Sequence, residues 1–227
     1  AGAFQAYWIA YARLPAFIVT LAGQLIFRGL TMTLLEGRTL APFPASFSWI
    51  SAGFLPQYKI GTVDFVAVGL GILCAIILVA TQIHSRVKAA KYNAKQSHIV
   101  FFTLKLLLLV FITVFFTYWL GTYNGLPSVL LLMVFLIVVY QFVTSNTVLG
   151  RRLYALGGNE TAAKLSGVNT NFILFLTYAN MGLMSAVAAI VFTGRLNAAT
   201  PTAGVGFELD AIAACYIGGA SATGGVG

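Results

Sequence analysis

Four apolar runs decide what this 227-residue chain can fold into: Thr62–Ile83, Ile99–Leu120, Leu126–Val143 and Phe172–Thr193. A helix needs about 20 mostly apolar residues to cross a bilayer, and each run comes near that length. Two further segments are shorter or interrupted: Ala16–Leu35 contains Gly23, Arg28 and Gly29, and Leu209–Ala220 ends in paired glycines. The opening Ala1–Tyr11 reads as the tail of another span. The expected architecture is an all-α, polytopic membrane protein, a transmembrane helix bundle of about six spans or part-spans forming a single domain over residues 1–227.

Composition agrees, with 59% hydrophobic and 8% charged residues and a mean hydropathy of +0.92. Soluble domains carry roughly 25% charged residues. The net charge of +8 does not indicate a nucleic-acid binder, because the 13 Lys and Arg residues are scattered through inter-span loops rather than gathered on one face. Cys74 and Cys215 fall inside apolar stretches and read as small buried hydrophobes, not as a disulfide or metal site. The chain opens AGAFQAYWIAYARLPAF and closes GGASATGGVG after an apolar segment, which leads us to expect the middle of a longer protein, incomplete at both ends.

Short loops rich in Lys and Arg stay cytoplasmic. The stretch 84–98, HSRVKAAKYNAKQSH, holds Arg86, Lys88, Lys91 and Lys95 without an acid, and the segment 150–170 holds Arg151, Arg152 and Lys164. Both are expected in the cytoplasm. The turn GTYNG at Gly121–Gly125 is uncharged and falls on the opposite side by span count. The same count sends 36–61 and 194–207 outward. The first mixes Pro42, Pro44 and Pro56 with Phe43, Phe47, Trp49 and Phe54, as suits either a docking surface or an aromatic belt at the headgroups.

The segment GRRLYALGGNETAAKLSGVN, between two long apolar runs, is the place where something in the cytoplasm can push on the spans. Gly157 and Gly158 should break the preceding structure, Asn159 should cap a helix, and ETAAKLSG gives one to two turns ended by Gly167.

Among charges near the membrane, Arg28 must face protein or water, as a tie to carbonyls or to a carboxylate such as Asp210, or as part of a translocation path. Lys105 lies a few residues inside its span and can snorkel. Glu208 and Asp210 precede a small-residue helix, as helix-starting acids or as part of a broken, cavity-lining element. The two interrupted segments suggest related halves. No G-x-x-x-x-G-K-[ST] stretch is present, so no phosphate-cradling loop is expected. His84 and His98 lack metal-like partners and no catalytic constellation is visible, so neither an enzyme nor a cofactor is indicated.

Three stretches in order, LPAFIVTLAGQLIFRGLT, GRRLYALGGNETAAKLSGVN and PTAGVGFELDAIAACYIGGASATGG, resemble the permease subunits of bacterial monosaccharide ABC importers, of ribose, xylose and multiple-sugar type. Permeases for branched-chain amino acids and nucleosides share the plan but match these stretches less well. The resemblance implies a multi-pass protein of the bacterial inner membrane, working as two copies with a cytoplasmic ATP-binding subunit and a periplasmic sugar-binding protein. It also implies that Gly157, Asn159, Glu160, Ala163, Ser166 and Gly167 match the coupling motif that sits in the ATPase cleft. Phe27, Arg28 and Gly29 match an FRG element, and Glu208, Leu209, Asp210 and Ala211 an ELDAIAA element near the pathway. The rival expectations are an ion-coupled secondary transporter, for which Asp64, Glu208 and Asp210 are the available carboxylates, and a membrane-embedded enzyme or scaffold.

Overall fold

The fold is described from a computed structural model that covers all residues except 56–58, 61–62, 92–98, 123–124, 222–223 and 226–227. The described residues form ten helices: α1 Gly2–Ala10, α2 Ala16–Leu35, α3 Ala45–Ala52, α4 Phe65–Lys91, α5 Ile99–Thr122, α6 Ser128–Asn146, α7 Val148–Gly158, α8 Glu160–Leu165, α9 Thr170–Leu196 and α10 Phe207–Ile217. A two-residue antiparallel pair, β1 Lys59–Ile60 with β2 Val63–Asp64, precedes α4. Among the described residues α2, α5, α6 and α9 are long and apolar enough to cross a membrane. Their large apolar side chains stay exposed, and no residue of α6 is buried. A helix apolar all round that finds little protein to pack on is suited to lipid.

The chain divides into two compact units, Ala52–Leu131 and the pair of stretches Ala1–Ser51 and Leu132–Gly227. In the first, α4 packs along α5, where Gly71 leaves room for Thr117 and the Arg86 guanidinium lies 4.2 Å over the Phe102 ring. In the second, α1 packs on α9 through Ala6, Ile9 and Ala10. Here two glycines meet backbone to backbone: a Cβ added to Gly182 would lie 2.4 Å from the Gly2 Cα. Such glycine contacts let helices approach closely where lipid supplies no hydrophobic drive.

In this second unit, α2 and α9 are tied at both ends by loops. At the start, Arg13 reaches Asn171. At the far end Leu40 and Ala199 exchange backbone hydrogen bonds of 3.0 and 2.9 Å, and the Asn197 side chain accepts from Phe43 N–H at 2.9 Å and from Ser48 Oγ. The two helices therefore run in the same direction and share two opposite ends. Each stops at a left-handed residue, Glu36 (φ 49°) and Asn197 (φ 52°), that turns the chain out of the helix.

Several expectations need correction. Ala16–Leu35 is an unbroken 20-residue helix, since interior glycines each cost only about 1 kcal/mol and Gly23 accommodates the Gln5 side chain from α1. The likeness between the two interrupted segments therefore fails, because only α10, at 11 residues, is short. Residues 84–91 are helix rather than loop, SRVKAAK being free of breakers, while 92–98 with Lys95 and His98 lie outside the described residues. Cys74 and Cys215 are exposed, because the apolar faces of α4 and α10 that carry them point outward.

Candidate functional site

The corner between α6 and α9 is built by caps. Thr147 Oγ1 accepts from the Gly150 N–H at 3.2 Å and starts α7. At Gly150 the chain turns so tightly that a Cβ would lie 2.1 Å from the Thr144 carbonyl oxygen. The helix α7 runs through Gly157 and Gly158, so the expected break falls one residue later, at the extended backbone of Asn159. Gly157 is instead a site of close approach, where a Cβ would lie 2.4 Å from the Gly225 backbone nitrogen. Asn159 Oδ1 accepts from Ala162 N–H at 3.0 Å and caps α8. The helix ends at Ser166, whose Oγ donates to Ala162 C=O, and Gly167 follows at φ 80°. Asn169 Oδ1 accepts from Phe172 N–H at 3.1 Å and starts α9. Caps of this kind are worth about 1 kcal/mol each.

The α8 helix has an inner and an outer side. Ala163 is 4% exposed and turns into the chain's own packing, whereas Leu165 is 85% exposed on an otherwise polar turn. Glu160, in the first turn, accepts from Arg13 Nη1 at 2.5 Å, and Arg13 Nη2 donates to Asn171 Oδ1 at 2.5 Å. Arg13 stands between α1 and α2 with φ 57°, a conformation uncommon for a side chain of this size. An ion pair this exposed, 46% and 45%, contributes about 0.2–1 kcal/mol, so it organises the corner more than it stabilises the fold.

A second polar cluster joins α2 and α10. Gln24 Nε2 donates to Glu208 Oε1 at 3.4 Å, and the Arg28 charge acts on the same carboxylate. Among the described residues Arg28 is in neither of the two close ion pairs. Phe27 is half-buried, and Gly29 has open space around it. No side chain caps α10, whose N-cap residue is Gly206 (φ 86°), and Glu208, Leu209 and Asp210 are exposed. Among the described residues no group of three His, Cys, Asp or Glu side chains could hold a metal.

Residues 56–226 match the family of the branched-chain amino acid transport system permease component. The chain belongs to this family. Within it, the chain is 37% identical over 226 residues to the xylose transport system permease protein XylH of Escherichia coli strain K12, covering 100% of this chain and 56% of that relative. It is equally 37% identical to XylH of Haemophilus influenzae, covering 58% of it. The Haemophilus influenzae ribose import permease protein RbsC is 46% identical over 107 residues, 47% of this chain and 33% of the relative. The chain thus spans a little over half the length of the xylose-system relatives. No solved structure matches it.

Three residues here are not marked by any local sequence pattern of the kind that points to Asn159 or Glu208. Arg13 and Gln24 find partners 147 and 184 positions away, beyond any local pattern. Leu165 carried a visible signal, a lone large apolar residue in a polar turn.

Proposed function

We propose that the chain is the membrane-spanning part of an ABC-importer permease subunit. It passes a monosaccharide across the bacterial inner membrane by alternating access, as one of two copies, powered by a separate cytoplasmic ATPase subunit and supplied by a periplasmic sugar-binding protein. A pentose of the xylose kind is the first cargo to test, since the relatives matched along the whole chain are named for xylose.

The observation that carries this reading is the capped α7–α8 corner, a compact polar element between two spans that presents Leu165 outward. Stiffness and an apolar tip suit a segment that is gripped and moved by a soluble partner. Sidedness follows from charge. Arg13, Arg151, Arg152 and Lys164 share one end of the α2 and α9 helices, and the other end carries Arg38 and Arg195 with Glu36 beside Arg38. The greater basic excess supports a cytoplasmic corner and periplasmic loops 36–61 and 194–207. The coupling residues are then Gly157, Asn159, Glu160, Ser166 and Gly167, with Ala163 as the small residue that seats α8. The Gln24, Arg28 and Glu208 cluster, with Phe27, Gly29 and Asp210, is the polar candidate for the pathway.

The test is uptake by the full-length protein in proteoliposomes with its ATPase and binding protein. Xylose uptake should require ATP, and Leu165→Asp should cut it by at least about tenfold and weaken ATPase copurification while membrane insertion persists. Uptake driven by an ion gradient without ATP would overturn the reading in favour of a secondary transporter. The family's description favours one other cargo, a branched-chain amino acid, and competition by leucine but not xylose would establish it.

A further inference from the structure

We propose that Arg13 is a positioning residue that ties α8 to the α1–α2 turn and to the start of α9, so that displacement of α8 is delivered to those helices; the proposal rests on α8 being the segment the ATPase moves. The guanidinium is used as a fork. One arm, Nη1, holds Glu160 in the first turn of α8, and the other, Nη2, holds Asn171 in the first turn of α9. A planar guanidinium offers two donors in fixed relative directions, which a flexible ammonium does not.

The backbone supports the same reading. Arg13 adopts φ 57° three residues past the end of α1, and the Leu14 N–H closes the turn on the Trp8 carbonyl at 3.2 Å. Glycine or asparagine suits that conformation better than arginine. The side chain, not the turn, accounts for an arginine here. The exposed pair adds little to stability, so its use lies in fixing where α8 stands relative to its neighbours. Tyr11 continues the connection, with its ring 6.0 Å from that of Phe175 on α9.

The experiment compares Arg13→Ala, Arg13→Gly and Arg13→Lys in the full-length protein, reconstituted with its ATPase and binding protein. The readout is sugar moved per ATP hydrolysed by the assembled complex. Arg13→Gly keeps the left-handed turn while removing the fork, which separates positioning from folding. We expect normal insertion and ATPase copurification, a ratio lowered about fivefold or more in Ala and Gly, and partial retention in Lys. Asn171→Ala should lower the ratio less, and Arg13→Ala with Asn171→Ala should be no worse than Arg13→Ala alone. A wild-type ratio in Arg13→Gly, or strictly additive losses in the double variant, overturns the proposal while ATP-dependent wild-type uptake leaves the functional reading intact. Wild-type uptake that needs no ATP removes the functional reading and this proposal with it.

Discussion

The two polar regions of the larger unit are built in opposite ways. In the corner from Thr147 to Asn171, three successive helices each begin at a side-chain cap, a glycine is enclosed by backbone, and one arginine spans two helix starts. In the cluster around Gln24, Arg28 and Glu208, one long hydrogen bond of 3.4 Å joins two helices, and α10 starts without a cap. The first arrangement resists deformation; the second leaves polar groups free to meet a solute or a changing neighbour. Under the proposed function, tight fixation suits the coupling corner and loosely held polar atoms suit the pathway.

The strongest way to break this contrast is Gly150→Val. With a Thr144 carbonyl 2.1 Å from where its Cβ must go, the corner has no flexible side chain to displace, so a stability loss of about 3 kcal/mol is expected. It should appear as a lowered unfolding midpoint in detergent, and an unchanged midpoint would show that the corner is not rigid. Asn159→Ala comes next, at about 1 kcal/mol, read as faster amide exchange in α8 with α9 unaffected. The smallest effect is expected from Glu208→Gln. Its bond is long and exposed, so stability should change by less than about 0.5 kcal/mol, while the KM for transported sugar shifts. A large stability loss there would erase the distinction between the two regions.

What could be read in advance follows the range of the forces involved. Apolar runs and caps are local, so three of the four expected spans and the Asn159 to Gly167 helix were legible from spacing alone, whereas the Thr62–Ile83 run gave only a shorter apolar stretch of α4, Val68–His84, among the described residues, and the full-length fourth span is Ala16–Leu35. Helix ends were less so: α4 runs on to Lys91 because alanine and lysine favour helix wherever a breaker is absent, and α2 carries its glycines without breaking. Arg13 looked like an unremarked basic residue because its meaning depends on Glu160 and Asn171, which only the fold brings near. Arg28 was expected inside the protein and is half-buried on α2, one turn past the Gln24 that reaches Glu208 only through the fold.

The meeting of Gly2 and Gly182 has a mechanical consequence. With no side chain between them to act as a cushion, α1 and α9 form one thick beam instead of two sliding rods. A beam as long as the 27-residue α9 measures about 40 Å. Tilting it by about 5° at its Asn169 foot would swing its tip, and the Leu40 strap fastened there, by about 3.5 Å, enough to change which loops touch on the far side of the bilayer.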